Sequence, residues 1–352
     1  MDNFIYNGNP ARVIFGRGTI SRLAEEAERL SADRVLVLST PEQADQAQGI
    51  AEVLGSRFAG LYSKAQMHTP VDVTADALRE VERLGANVVL SIGGGSTTGL
   101  GKAIAFRTDL PQIVVPTTYA GSEATPILGE TENGRKVTKS DPRILPEVIV
   151  YDVDLTLTLP VAMSVTSGIN AVAHAVEALY AREANPIVSL MAEQGIAAIA
   201  RALPIIARQP EDPDARADAL YGAWLCGVCL GSVGMALHHK LCHTLGGMFN
   251  LPHAPMHTAL LPHAVAYNAP AAPEAMARIA QALGAKDAAT GLFDLAQGLG
   301  ASMALKTMGM PDDGVDPAVE QAMANAYWNP RVLEKDGLRQ LLAGAYEGQR
   351  PE

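Results

Sequence analysis

The first half of the chain alternates short apolar runs with longer amphipathic segments. RVLVLS at residues 34–39, NVVLSI at residues 87–92, QIVVPTT and PEVIVYD (Pro146–Asp152) predict buried strands, the last of them ending this half. ADQAQGIAEVLG, TADALREVERLG and TTGLGKAIAFRT have helical spacing, and Thr74 is the expected N-cap of the second helix. Such alternation predicts a parallel sheet with helices on both faces.

The pattern changes near residues 153–160, after which every apolar segment has a helical period. We therefore predict an α/β, Rossmann-like parallel-sheet domain that binds a dinucleotide at residues 1–155 and an all-helical catalytic domain at residues 156–352. Ligands of open parallel sheets bind at the carboxyl ends of the strands, so the cleft between the two halves is the expected site.

A glycine run follows the predicted strand at residues 87–92. Gly93, Gly94, Gly95 and Ser96 stand directly before a helix, where backbone N–H groups and the helix N-terminus favour a phosphate. The run departs from the G-x-G-x-x-G fingerprint, because Thr98 occupies the last glycine position. A tight turn without any ligand is therefore the alternative interpretation.

A second polar turn, with Thr117 and Thr118, ends the next strand and strengthens the prediction of a dinucleotide. Ser39 and Thr40 stand at the end of an earlier strand, where NAD-specific enzymes often place an acidic residue that repels a 2′-phosphate. Because neither residue is acidic, we expect both NADH and NADPH to be used.

Charge and composition narrow the function further. The net charge of −11 argues against nucleic-acid and anionic-membrane partners, and it means that an anionic substrate needs a local patch of positive charge. No secretory signal or apolar run of membrane-spanning length is visible, so a cytoplasmic enzyme is expected. Cys226 and Cys229 spell C-x-x-C, but their apolar surroundings favour a buried helix over a redox or zinc site.

Histidines concentrate in the second half, seven of the eight lying between His174 and His263. Three pairs have the spacing of one helical turn: Asn170 with His174, His239 with His243, and His253 with His257. A lone helical histidine usually has a structural role, whereas this clustering predicts a site. The remaining histidines are expected to be structural (His238 and His263) or in a surface loop (His68).

A series of motifs resembles the iron-containing alcohol dehydrogenase superfamily, whose fold dehydroquinate synthase and glycerol dehydrogenase share. In order, they are RVIFGRGTISRL, GGGS, PTTYAGSE, the helix with Asn170 and His174, HHKLCHTLGG, LPHAPMHTALLPH and NPRVLEKDGLRQLLAGAY. The resemblance spans nearly the whole chain. It implies a dehydroquinate synthase-like fold, catalysis in the interdomain cleft, and a homodimer.

The resemblance also implies where the family's metal ligands fall. Metal-dependent members use an aspartate and three histidines at positions that correspond here to Asn170, His174, His239 and His253. An amide therefore replaces the only anionic ligand. Because disturbing even an outer partner of a metal ligand costs about 10–100-fold in metal affinity, we expect no metal.

Further departures resemble the maleylacetate reductase branch of the superfamily. Ala254 and His257 stand where alcohol dehydrogenases usually have glycine and asparagine, and the PTTYAGSE loop is one residue shorter than theirs. The branch implies NADH- or NADPH-dependent reduction of the carbon–carbon double bond of maleylacetate to 3-oxoadipate, in bacterial breakdown of aromatic compounds.

Roles follow from this resemblance. Hydride transfer to the carbon β to the ketone leaves an enolate, which imidazoles must stabilise and protonate. His243 and His253 are the first candidates for these roles, and His174, His239 and His257 are expected to complete an electropositive pocket. The predicted substrate-binding residues are Asn170, His257, Lys136 and Tyr119. Lys240 either joins the histidines or points to solvent.

Three other functions remain open at this stage. The closest alternative is a metal-dependent alcohol or polyol dehydrogenase of the same superfamily that uses iron or zinc and tolerates Asn170. A carbocycle-forming lyase like dehydroquinate synthase is disfavoured, because that chemistry needs the metal. A non-catalytic binding protein is disfavoured because both nucleotide turns and all the histidines are retained.

Overall fold

A computed structural model of the chain describes residues 4–9, 11–132 and 135–352. Backbone contacts divide these residues into two compact units. The first is Asn9–Leu159, and the second is Pro160–Glu352 together with residues 4–8. All strands assigned to the described residues lie in the first unit, and the second is built from helices.

The N-terminal unit is a six-stranded parallel sheet with an added antiparallel hairpin. Its strands are β1 (Arg12–Gly16), β2 (Val35–Leu38), β3 (Phe58–Tyr62), β4 (Val88–Gly93), β5 (Gln112–Pro116), β6 (Ile127–Glu132), β7 (Arg135–Ser140) and β8 (Val148–Asp152). The sheet order is β1-β8-β5-β4-β2-β3, and β6 pairs with β7. Sequence patterning predicted the four inner strands but missed β1, β3 and the hairpin.

Helices cover both faces of this sheet, as predicted. They are α1 (Leu23–Arg29), α2 (Ala44–Ala51), α3 (Val71–Leu84) and α4 (Gly95–Thr108). Val35 and Val37 pack in one apolar cluster with α1 and α2. Leu36 and Leu38 point the other way and pack with α3 and α4. This alternation with a period of two buries both faces of the sheet.

The strand order produces a topological switch between β2 and β4. The chain leaves β2 towards β3 on one side and leaves β4 towards β5 on the other. Connections that diverge in this way open a crevice at the carboxyl ends of the two strands, which is where open α/β sheets bind ligands. Ser39 follows β2 at this edge, and the glycine run begins at the end of β4.

The glycine run adopts a backbone that side chains would obstruct. Gly93 has a φ of +146°, and a Cβ there would lie 2.6 Å from Thr97 Oγ1 and 2.8 Å from Gln43 Oε1. A Cβ on Gly94, which precedes the first residue of α4, would lie 3.0 Å from Thr118 Cγ2. The two predicted polar turns are therefore in contact, and no side chain caps the N-terminus of α4.

Two predictions in this unit need correction. Thr74 does not cap α3, because the helix begins one turn earlier, after Pro70; its Oγ1 instead donates to the Pro70 carbonyl at 3.3 Å. A proline directly before the first turn suits this start, since its ring fixes φ. His68 is half-buried and not a surface residue; burial, and then the charge of Lys136, lowers the pKa of His68.

The second unit is an all-helical domain, as predicted. Its helices are α5 (Val161–Leu179), α6 (Pro186–Arg208), α7 (Pro213–Ser232), α8 (Leu237–Phe249), α9 (His253–Asn268), α10 (Pro273–Leu283), α11 (Ala288–Gly298), α12 (Val315–Ala324) and α13 (Lys335–Glu347). One apolar cluster joins α8 and α9 to α12 and α13 through Leu241, Leu260, Val319 and Leu342.

Helix α6 is long and apolar enough to cross a membrane by length and composition, with a mean hydropathy of 1.4. It packs instead within the helical unit. Its contact with α7 is close: a Cβ on Gly195 would lie 3.2 Å from the Gly222 carbonyl and 2.8 Å from Cys226 Sγ. Burial raises the pKa of Cys229 to about 12 and that of Cys226 well above its usual value. These thiols are therefore packing groups at neutral pH.

The backbone conformation at the end of β4 leads to a testable prediction about stability. Gly93→Ala should lower the free energy of unfolding by about 1–3 kcal/mol, because alanine resists a positive φ and its Cβ would overlap Thr97. Gly95→Ala is the matched control, since a Cβ there meets nothing within 4 Å. Urea unfolding of both variants checks this, and equal stabilities would contradict it.

Candidate active site

Helix α5 carries a polar stripe on an otherwise apolar buried surface. Asn170, His174 and Glu177 follow one another at intervals of four and three residues, so they share a face of the helix. Their exposed fractions are 3%, 5% and 1%, respectively. Buried polar groups require partners, and the stripe therefore marks a polar interior within the helical unit.

Glu177 links this stripe to α8. Its Oε2 accepts hydrogen bonds from the Ala236 N–H and from His239 Nδ1, both at 2.7 Å, and its Oε1 accepts from the His238 N–H, also at 2.7 Å. No side chain of its own caps the N-terminus of α8. The carboxylate therefore caps α8 from a different helix and orients His239.

His239 is held in a defined orientation by this contact. Donation of Nδ1–H to Glu177 places the proton on Nδ1 and leaves Nε2 directed away from the carboxylate. Nε2 is buried and has no hydrogen-bond partner among the residues that the structure describes. The rings of His174 and His257 lie 5.3 and 5.4 Å from that of His239, between centroids.

Six histidines gather around this point, and we call them the histidine cluster. They are His174, His238, His239, His243, His253 and His257. The closest pair is His253 with His257, whose centroids are 4.2 Å apart. His243 and His253 are the half-buried members, and the other four are at most 5% exposed. The three helices α5, α8 and α9 thus bring together the histidines of all three predicted pairs.

Within the cluster, His238 and His257 bond to each other, with 3.1 Å between Nε2 and Nδ1. Cys242 Sγ lies 3.7 Å from the same His238 nitrogen, and one donor atom from each of the three residues lies within 4.8 Å of the others. Burial, and then the neighbouring histidines, lowers the pKa of both His238 and His257 well below 6.5. Burial thus opposes the positive charge that His257 is expected from the sequence to add.

Tyr327, in the segment between α12 and α13, also joins the site. Its OH lies 3.0 Å from His243 Nδ1, and either group can donate. Burial, and then Glu177, raises the pKa of Tyr327, so the phenol stays protonated at neutral pH. The Lys240 ammonium lies over the same ring, 5.4 Å from its centroid. Lys240 therefore lies beside the histidine cluster.

Sequence reasoning missed Glu177 and Tyr327 as site residues. Glu177 carried a usable signal, since it is seven residues from Asn170 and is the only carboxylate in the apolar helix α5. Tyr327 carried none, because 84 residues separate it from His243. His263, predicted to be structural, lies on α9 beside Gly344, and burial lowers the pKa of its ring to about 4.

The remaining candidate residues belong to the N-terminal unit. Tyr119 is fully buried after β5, and Lys136 is half-buried on β7. Thr117 Oγ1 accepts from Gln43 Nε2 at 3.0 Å. Ser39 is fully buried, with no hydrogen-bond partner for its Oγ among the described residues. Ser39, Gly93 and Thr117 therefore follow or end three adjacent strands, β2, β4 and β5.

Comparisons with known proteins identify the family of the chain. The model for iron-containing alcohol dehydrogenase matches residues 10–153, and that for the C-terminal part of the Fe-containing alcohol dehydrogenase family matches residues 164–346. The chain belongs to the iron-containing alcohol dehydrogenase family.

Close relatives carry a more specific name. A maleylacetate reductase from Sphingobium indicum is 58% identical over 99% of both chains. The solved maleylacetate reductase of Agrobacterium tumefaciens is 56% identical, with full coverage of both chains and a TM-score of 0.95.

Comparison with the ligands of the metal-dependent family members tests whether these residues suit a metal ion. The positions that the sequence resemblance assigns to those ligands hold three imidazoles and the neutral amide of Asn170. The buried carboxylate nearest to them in sequence, Glu177, already accepts from His239 and two backbone N–H groups. With no anion at any ligand position, these residues fit a tightly held dication less well than a set with an aspartate.

The carboxylate of Glu177 makes a prediction about stability. Glu177→Ala leaves two backbone N–H groups and a ring N–H buried without an acceptor, and should cost about 3–5 kcal/mol of unfolding free energy. Glu183→Ala is the control, because this exposed carboxylate accepts from Gly234 N–H in the same connecting segment. Chemical unfolding should separate the two variants; a similar small loss in both would contradict the assignment.

Proposed function

We propose that this protein is a maleylacetate reductase that uses NADH or NADPH and reduces the carbon–carbon double bond of its substrate to give 3-oxoadipate. The observation that carries the proposal is full-length identity of 50–58% to several maleylacetate reductases. Asn170, in place of the family's anionic metal ligand, and the tightly packed histidine cluster support it.

The N-terminal unit has the features that a dinucleotide requires. Gly94 and Gly95 leave the N-terminus of α4 uncapped and accessible, so its N–H groups can bind a pyrophosphate. The contact between Gly94 and Thr118 sets the second turn beside the first. Gly93, Gly94, Gly95, Ser96, Thr117, Thr118 and Ser39 are the proposed cofactor-binding residues. When bound, the reduced nicotinamide supplies the hydride.

The helical unit would handle the charge and the proton. Addition of hydride to the alkene carbon β to the ketone moves an electron pair onto the ketone oxygen. A proton added at the α carbon, which lies between the carbon that receives the hydride and the ketone carbon, completes the saturated product. His243 and His253 are the proposed donor and oxyanion stabiliser, because they are the cluster members with solvent access. Asn170 is proposed to donate an amide hydrogen bond to the substrate.

The remaining candidate residues also have proposed roles. His174 and His239 are proposed to complete the pocket around the reacting groups, and His257 would contribute hydrogen bonding without charge. Tyr119 and Lys136 stay proposed substrate-binding residues of the N-terminal unit. The enzyme is proposed to work without a metal, as a cytoplasmic homodimer that binds neither nucleic acid nor membrane.

One observation favours a second candidate, a metal-dependent alcohol or polyol dehydrogenase. A histidine that gives one ring N–H to a carboxylate and directs the other nitrogen into a cluster is typical of metal ligands, and His239 does this with Glu177. The same contact also serves a metal-free site by fixing the tautomer of His239. Metal dependence therefore separates the two candidates.

The first experiment is an NADH-oxidation assay with maleylacetate against simple aldehydes, on protein whose metal content has been measured. We expect maleylacetate to be reduced, aldehydes to react poorly, and activity to survive EDTA, because no step needs a Lewis acid. NADPH should also support the reaction, since neither Ser39 nor Thr40 repels a 2′-phosphate. Activity lost on chelation and restored by iron or zinc would support the dehydrogenase instead.

His243 provides a sharper test of the proton chemistry. His243→Ala should lower kcat about 10²–10⁴-fold, the usual contribution of a general acid, with the KM for NADH unchanged. His263→Asn is the control, because His263 is another helical histidine of the same unit but lies outside the cluster. Steady-state kinetics on variants with confirmed thermal stability would decide, and an unaltered kcat would exclude the role.

A further inference from the structure

A dicarboxylate substrate needs positive charge, and the chain carries a net charge of −11. Two of the buried rings, those of His238 and His257, bond to each other, with 3.1 Å between Nε2 and Nδ1, so these two nitrogens are engaged within the cluster. A lysine keeps its charge at neutral pH, where an imidazole is mostly uncharged, so a lysine beside the cluster is the better source of a cation. Lys240, on α8 between His239 and His243, is the candidate that the structure offers.

The two buried lysines among the described residues differ in their partners. Lys102 is 1% exposed and its ammonium donates to several oxygens, including the Thr125 carbonyl at 2.8 Å and the Ile127 carbonyl at 3.0 Å. Lys240 is 8% exposed, and its ammonium lies over the Tyr327 ring. No carboxylate of a described residue forms an ion pair with it. The Lys240 ammonium keeps access to solvent although most of its side chain is covered, so an anionic ligand can reach this cation.

Tyr327 joins this ammonium to the proposed chemistry. Its ring lies under Lys240, and its OH bonds to His243 Nδ1. Lys240 and His243 are three residues apart on α8, which places them on adjoining parts of one face. An anion bound to the ammonium would therefore lie beside the imidazole that is proposed to handle the proton.

We propose that Lys240, supported by the ring of Tyr327, binds one of the two carboxylates of the substrate and makes the enzyme selective for dicarboxylates. The inference rests on the proposed function. Lys240 supplies the charge, and Tyr327 both fixes the ammonium and aligns His243. Charge-assisted hydrogen bonds of this kind are among the strongest in proteins, so the residue would determine substrate affinity.

The test uses the full-length enzyme and a probe that cannot react. Adipate, a saturated dicarboxylate, and hexanoate, its monocarboxylate counterpart, are titrated calorimetrically into the enzyme with saturating NAD⁺. The variants are Lys240→Met, Lys240→Arg and Tyr327→Phe. Lys335→Met is the control, because it removes a lysine of the same unit that is exposed and paired with Glu320. Kinetics with maleylacetate, NADH and NADPH are measured on the same proteins.

Wild type should prefer adipate to hexanoate, and Lys240→Met should weaken adipate binding about 10–100-fold with little change for hexanoate. The KM for maleylacetate should rise by a similar factor, with the KM for both nicotinamides unchanged. Lys240→Arg should recover part of the affinity. Tyr327→Phe, which keeps the ring, should bind adipate normally and lose mainly kcat. The Lys335 variant should match wild type.

The inference fails if Lys240→Met keeps a KM for maleylacetate within twofold of wild type, while the proposed function then stands. It also fails if Lys240→Met weakens the binding of adipate and hexanoate equally, which indicates a collapsed pocket. Weaker binding of the nicotinamides alone would likewise contradict it, because that result indicates a contact with the cofactor phosphates. If wild type does not reduce maleylacetate, the proposed function fails and the adipate titration alone decides on Lys240. Absence of both activity and adipate binding overturns both proposals.

Discussion

The helical half of this protein depends on one buried carboxylate. Glu177 accepts hydrogen bonds from two backbone N–H groups of the segment that opens α8 and from the ring of His239. A single side chain thus caps one helix from another, sets the tautomer of a site histidine and fixes the spacing of α5 from α8. Asn170 and His174 lie on α5 and His243 lies on α8, so this contact joins the two helices that carry them.

The electrostatics of the site follow from burial more than from residue type. Six imidazoles look like a positive cluster, but desolvation and mutual repulsion keep the innermost rings neutral. Charge is then carried at the margin, by Lys240 over Tyr327. Replacing the family's anionic ligand with Asn170 fits this distribution, since a carboxylate in the same interior would compete with an anionic substrate for the available cations.

Much of the fold could be predicted from the sequence, for a physical reason. Inner strands such as β2 and β4 are buried on both faces, so their residues form continuous apolar runs. The two missed strands of the sheet, β1 and β3, are its edges, and their partly exposed residues weaken the pattern. Thr74 was misassigned because a threonine can also lie one turn inside a helix, where its hydroxyl bonds back to a carbonyl.

Helical spacing likewise allowed the histidine pairs to be predicted. Contacts between residues far apart in the chain, such as that of Tyr327 with His243, could not be predicted from the local sequence. One further consequence comes from the uneven solvent access of the cluster. Each reductive turnover consumes a proton, so the donor must be recharged before the next. His243 and His253, the members that water can reach, would be refilled directly from bulk solvent, without a proton wire through the interior.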